Sequence, residues 1–279
     1  MTEKDFRKKI TDLEINSSDK ELINNIKDSL YKILSDKLIN FTIVSFEKAL
    51  SLKWNLYYHN EKEISFQLIV DAKNNKSYPL SNQALINEVY NIILYNYNIE
   101  KLNQIGYDES RNSIYFIDEI KINILLRFNQ ELEYQKEDLV RYDMLKDNFI
   151  NLTVRDFNLF KNAVILIKEV VNNNDIHLNT YMISLLLYYG LSINFTTHTY
   201  EAYLKEFNHA LDDLLKGIKI DQDDQTYKAL ELTRMNVIKK PYIIVDIASP
   251  TNNLCASFGE AFAQDVKKLK KLIQKMLEN

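Results

Sequence analysis

Tyr242-Ile-Ile-Val-Asp246-Ile-Ala-Ser-Pro250-Thr251-Asn252-Asn253 is the stretch on which the fold turns. Its first half is apolar and β-branched, which suits a pleated, buried strand. Its second half collects Ser249, Pro250, Asn252 and Asn253, residues that stop strands and open turns. A short strand is therefore predicted at 241–246. Its surroundings are helical. Apolar residues recur at spacings of three and four through 139–151, 153–172, 178–192, 199–217 and 222–235. Thr153, with Asp156 three residues later, opens the second of these as a cap. A last amphipathic helix is predicted at 258–278. Residues 139–279 thus read as a helical lobe carrying one short strand at 242–246 and a terminal helix.

Upstream, the pattern changes. Leu22, Ile23, Ile26, Leu30, Ile33 and Leu34 share one helical face over 19–38, with Asp19 or Ser18 as the expected cap. Three strand-like runs follow. Residues 41–44 are short and β-branched. Residues 63–70 place Ile64, Phe66, Leu68 and Val70 on one face and Glu63, Ser65, Gln67 and Ile69 on the other. Residues 114–128 hold two strands or one bent strand, with Ile120, Ile122, Ile124 and Leu126 opposite Lys121, Asn123, Leu125 and Arg127. A helix at 82–97 separates the second and third runs. Ile105-Gly106-Tyr107 leads through a charged, turn-like stretch at 108–112. Residues 1–138 read as an α+β lobe with a mixed sheet and a long N-terminal helix.

Composition narrows the function classes. The chain has 279 residues and a net charge of -4, so no global field drives it toward nucleic acid or membrane. Its single cysteine, Cys255, excludes an intrachain disulfide and a thiolate metal cluster. The N-terminus lacks the apolar core of a signal peptide, and no window approaches a membrane span. An intracellular protein, cytoplasmic or nuclear, is expected. The four glycines matter because phosphate-cradling loops need them.

The segment Tyr242–Asn253 resembles the Val-Ile-Leu-Asp-Pro-Ala-Asp-Pro-Thr-Asn-Asn stretch of oligoadenylate synthetases and related bacterial nucleotidyltransferases. Asp246, Ala248, Pro250, Thr251 and Asn253 keep their places, while Ile247 and Ser249 replace Pro and Asp. Residues 142–170 resemble the family's helix pair with its Leu-Ile-Leu-Val-Lys motif. His177-Leu-Asn-Thr-Tyr181-Met-Ile-Ser-Leu-Leu-Leu-Tyr-Tyr-Gly resembles its Leu-Pro-Ser-Tyr-Ala-Leu-Glu-Leu-Leu helix. The similarity spans residues 20–279 and extends to the cyclic GMP-AMP synthase-like branch of the superfamily. It implies the nucleotidyltransferase fold.

Enzymes of this family join nucleotides through two metal ions held by three carboxylates, two of them as Asp-x-Asp. A Gly-Ser loop upstream holds the triphosphate. Here the resemblance puts Val44-Ser45 at the loop, Glu63-Ile64-Ser65 at the Asp-x-Asp, and Asn123 at the third aspartate. Valine obstructs the turn, Ser65 offers a hydroxyl and Asn123 a neutral amide, whereas Mg²⁺ prefers anionic oxygens. Glu61 and Glu63 with Glu119 would make a displaced triad, but Glu119 lies roughly 13 Å before Asn123 along the strand. The resemblance further implies nucleotide contacts at Ser45, Lys48, Lys168 and Tyr181.

Elsewhere the chemistry is sparse. His59, His177, His198 and His209 show no metal spacing, and no metal site is expected. Asp246 reads as a strand-end residue and Cys255 as a buried thiol. On the terminal helix Lys267, Lys268, Lys270, Lys271 and Lys275 crowd the polar face. This is a solvated face favoured by the helix dipole or a contact for nucleic acid. The leading expectation is a pseudoenzyme, a catalytically inactive nucleotidyltransferase-like protein that needs no cofactor. It would act as a binding or scaffold subunit in an RNA- or nucleotide-related complex. Its partner would be a related nucleotidyltransferase or an RNA-processing subunit, with nucleic acid as a further partner class. Two alternatives stand beside it. One is an active, Mg²⁺-dependent enzyme making oligonucleotides or cyclic dinucleotides from ATP or GTP. The other is a nucleotide-binding sensor.

Overall fold

The structure is a computed structural model. It describes residues 2–49, 52, 53, 55–73, 81–97, 104–108, 112–117, 120–129, 157–194, 198–217, 242–246, 249–255 and 260–278, with backbone alone for 192–194, 245, 246 and 249–253. The predicted helices at 139–151 and 222–235, the Thr153 cap and Glu119 lie outside the described residues. Two compact units are present, Leu13–Lys136 and Met1–Asp12 with Glu137–Asn279.

The first unit is built on a sheet. Helix α1 (Glu3–Leu13) precedes it, and α2 (Ser17–Lys37) opens it. The α2 cap is Asn16, not Asp19 or Ser18. Asn16 Oδ1 accepts from Asp19 N at 2.8 Å, and Asp19 Oδ2 accepts from Asn16 N at 3.1 Å. This reciprocal box satisfies two N–H groups together, so Asp19 serves as its third helical residue. Ile23, Leu30 and Leu34 form the buried stripe of α2.

Five strands follow: β1 (Phe41–Lys48), β2 (Glu63–Ala72), β3 (Gln104–Asp108), β4 (Ser113–Ile117) and β5 (Lys121–Phe128), with α3 (Asn82–Asn96) after β2. Their spatial order is β1-β2-β5-β4-β3. The β2–β5 pair is parallel and the others are antiparallel. One face of the sheet supplies the core: Phe41, Phe46, Ile64, Phe66, Leu68, Val70, Ile114, Phe116, Ile122, Ile124, Leu126 and Phe128 pack with Leu30, Leu34, Leu85, Val89 and Ile93 of α2 and α3. Each such side chain contributes about 1.5–3 kcal/mol by leaving water.

Two local expectations change. Residues 44–48, expected as a loop, continue β1 as a strand, and the pairing register slips between Ile43 and Ser45. A bulge absorbs Val44, which is left unpaired and 48% exposed. The stretch around Gly106, expected as a lead into a turn, is the edge strand β3. Asn112 follows it at φ 46°, in the left-handed region that asparagine tolerates.

The second unit is helical. It contains the body of α1, then α4 (Phe157–Asn173), α5 (Thr180–Asn194), α6 (Tyr200–Leu215), a hairpin of β6 (Val245–Asp246) and β7 (Ser249–Asn253), and α7 (Glu260–Glu278). Helix α1 joins it through Phe6, whose ring lies 6.3 Å from that of Tyr200, and through a Lys9–Glu169 ion pair at 2.7 Å. Glu3 Oε2 accepts from Tyr200 N at 3.1 Å, satisfying a helix-start N–H that has no partner within α6. Helices α5 and α6 approach closely at Gly190, where a Cβ would meet Glu206 O at 2.3 Å. Just before the hairpin, Tyr242 packs edge-on against Phe262 of α7, 5.7 Å between centroids.

Candidate functional site

The parallel β2–β5 ladder sets the site. It pairs Glu63 with Lys121, Ser65 with Asn123, Gln67 with Leu125 and Ile69 with Arg127. Side chains alternate along a strand, and Ile64, Phe66, Ile122 and Ile124 already face the core. These eight residues therefore line the opposite face. Gln67, Ile69, Leu125 and Arg127 are buried there, and Arg127 Nη1 donates to Leu126 O at 2.9 Å. At the other end, Glu63 and Lys121 are open, with side chains 43% and 40% exposed.

The positions implied for the acidic triad do converge. Glu63, Ser65 and Asn123 sit side by side on adjoining strands. Glu63 Oε1 accepts from Asn123 Nδ2 at 2.8 Å, and Glu63 Oε2 accepts from Lys121 Nζ at 3.1 Å. Both oxygens of the one carboxylate are thus engaged by N–H donors. Ser65 beside them is only 4% exposed. Two Mg²⁺ ions need several anionic oxygens. One carboxylate, a hydroxyl and an amide, with an ammonium among them, do not fit that pair. Among the described residues no group of three His, Cys, Asp or Glu side chains could hold a metal ion.

Lys121, Tyr115 and Gly106 complete the site, and none stood out as a functional residue in the sequence. Tyr115 of β4 pairs with Asn123 on one side and Gly106 on the other. Lys121 Nζ lies 5.5 Å from the centroid of the Tyr115 ring, within cation–π range. The ring needs the space left by Gly106, since a Cβ there would come 2.5 Å from Tyr115 Oη. The alternation that put Asn123 on this face also put Lys121 there. The strand register that sets Lys121 against Glu63 has no local sequence signature.

The other expected residues scatter. Ser45 lies opposite Ile69, on the site face, and its buried Oγ has no hydrogen-bond partner among the described residues. Lys48 pairs with Phe66, whose side belongs to the core. The turn after β1 begins at Ala49, whose N–H donates to Ser65 O at 2.9 Å. Ala49, later in the chain than Val44-Ser45, thus lies beside Ser65. Glu61 precedes β2 and is 4% exposed; its Oε2 accepts from Tyr58 N at 3.3 Å.

In the helical unit Lys168 and Tyr181 are buried, at 5% and 7% exposure. The lysine row of α7 is partly committed. Lys268 Nζ donates to Asn174 O at 2.6 Å, and Lys270 bonds Asp212. Lys267 and Lys271 remain exposed on the same helix. Cys255 is buried, and that burial pushes its thiol up to about 12 despite a hydrogen bond with the Ile244 backbone. Among the described residues no helix is long and apolar enough to cross a membrane.

No protein-family model matches the chain, and no curated protein sequence does either. Solved structures do match. CdnC of E. coli MS115-1 with ATP aligns at a TM-score of 0.65 and 13% identity, over 98% of this chain and 90% of that one. The Cid1 poly(U) polymerase bound to MgATP aligns at 0.63 and 12% identity, over 99% and 94%. The polymerase core of TRAMP, an RNA surveillance complex, aligns at 0.61 and 12% identity, over 98% and 84%. At such identities the likeness speaks for the path of the chain and not for its chemistry. The mixed five-stranded sheet, the long helix before it and the helical part after it make this the nucleotidyltransferase fold.

Proposed function

We infer that this protein keeps the nucleotidyltransferase fold as a binding or scaffold subunit and does not transfer nucleotides. The observation that carries the inference is the state of Glu63. It is the one carboxylate at the three implied metal positions, and both its oxygens already accept hydrogen bonds from Asn123 and Lys121. The displaced triad finds little support, because Glu61 turns its carboxylate back onto Tyr58 N instead of toward the sheet. Buried Lys168 and Tyr181 likewise speak against an open nucleotide pocket built on them.

A protein partner fits this role. CdnC has been solved in complex with HORMA-deltaN, and the TRAMP polymerase core belongs to an RNA surveillance complex. For this chain we take the partner to be a protein, with RNA as a further ligand class. Incubating the purified chain with labelled ATP and GTP, Mg²⁺ or Mn²⁺, and with or without RNA and DNA, tests the reading. No labelled product is expected. A product that disappears in Glu63→Ala would overturn it.

A further inference from the structure

The geometry points to Lys121 as a built-in counter-ion that keeps divalent metal out of the Glu63 site, held in place by the Tyr115 ring over Gly106. This rests on the reading that Glu63, Ser65 and Asn123 stand at the metal-holding positions of the fold. It adds a cause: the Glu63 site is closed to metal by a residue on its own sheet face, beyond the carboxylates that face lacks.

Three linked features hold the ammonium. The parallel ladder sets Lys121 directly beside Glu63, so the pair is imposed by backbone register and not by two wandering side chains. The ion pair at 3.1 Å leaves Nζ 5.5 Å above the Tyr115 ring, which attracts a cation to its face. Tyr115 in turn lies over Gly106, where no larger residue leaves room for its hydroxyl end. Glu63 is held from the other side by the Asn123 amide at 2.8 Å. An exposed ion pair alone contributes little to stability. Its effect on a second cation is another matter. A divalent ion approaching Glu63 would face a like charge a few ångströms away and compete with two hydrogen bonds already made. Within this pair the charge is balanced without any ion from solution.

The experiment is a Mn²⁺ titration of the full chain, read by electron paramagnetic resonance of the free ion. The unaltered protein is expected to bind no Mn²⁺ stoichiometrically below millimolar concentration. Ser65→Asp with Asn123→Asp restores the two acids while leaving Lys121, and binding should stay weak. Adding Lys121→Gln to that pair should tighten Mn²⁺ at least about tenfold, the scale of a like charge at this range. Lys121→Arg in the same background should behave as lysine does. Tyr115→Leu should move affinity toward the Lys121→Gln value, whereas Tyr115→Phe should not. Because Ser65 is buried, Asn123→Asp with and without Lys121→Gln repeats the comparison on a protein with fewer changes, its folding checked by circular dichroism. Equal Mn²⁺ affinity with and without Lys121 in both backgrounds would overturn the inference. Nucleotide transfer by the unaltered chain would instead overturn the non-catalytic reading beneath it.

Discussion

Glu63 concentrates the difference between a fold and an activity. Both carboxylate oxygens of Glu63 already accept a hydrogen bond, one from Asn123 and one from Lys121, so a metal there would share them with an ammonium. Part of this was legible in advance. The alternation of Glu63, Ser65 and Asn123 with core residues marks their shared face, where a hydroxyl and an amide stand beside one carboxylate. Lys121 was visible on that face too, but its partner was not, because parallel register is set by the whole sheet. Val44 shows the opposite: the resemblance implies a loop there, and a bulge keeps it in β1. At Gly106 the absent side chain has a packing reason. Gly106→Ala should cost on the order of 1–3 kcal/mol by overpacking against Tyr115, measured by urea unfolding. Cys255 offers a second residue-level check. Burial pushes its thiol up to about 12, so it should resist a thiol reagent at pH 8 in the folded chain and react once urea unfolds it.

At the scale of elements, periodicity proved most informative where a face is apolar. Helices α2, α3, α5, α6 and α7 lie close to where their apolar spacing put them, and so do β2 and β5. Their ends were less legible. Asn16 caps α2 because Asp19 reaches back to it, a reciprocal bond that neither residue reveals alone. Asn16→Ala should destabilise the sheet unit by about 0.5–2 kcal/mol. The short edge strand β3 has a glycine at its centre and little apolar alternation, so it read as the approach to a turn. Helix α7 carries a pH-dependent attachment. Burial alone would raise the Asp265 carboxyl, but bonds from the His177 backbone and ring outweigh it and hold the group below its usual value. A depressed carboxyl stabilises the fold above its unfolded-state value, and the contribution is lost as pH falls through the folded one. The melting-temperature gap between Asp265→Asn and the unaltered protein should therefore be present at pH 7 and close at pH values below about 4.

At the scale of the molecule, the chain keeps a fold shared with CdnC, the Cid1 poly(U) polymerase and the TRAMP polymerase core, and it does so at 12–13% identity. Such divergence is possible because a fold asks mainly for pattern and volume. Phe66, Leu68, Ile122 and Ile124 need only be apolar and of suitable size, and many sequences satisfy that. Two-metal catalysis asks for particular anionic oxygens, and the β2–β5 face offers the Glu63 carboxylate beside the Ser65 hydroxyl and the Asn123 amide. The fold was therefore the more legible part, through the order of Tyr242–Asn253 and the helices before it. The site needed the register of β2 and β5. Pyrophosphate release tests the central claim most directly, because every nucleotidyl transfer liberates it whatever the acceptor. The chain should release none above the rate without protein when given each of the four ribonucleoside triphosphates with Mg²⁺ or Mn²⁺, with and without RNA. Steady release that scales with protein concentration and is lost in Glu63→Gln would contradict the claim.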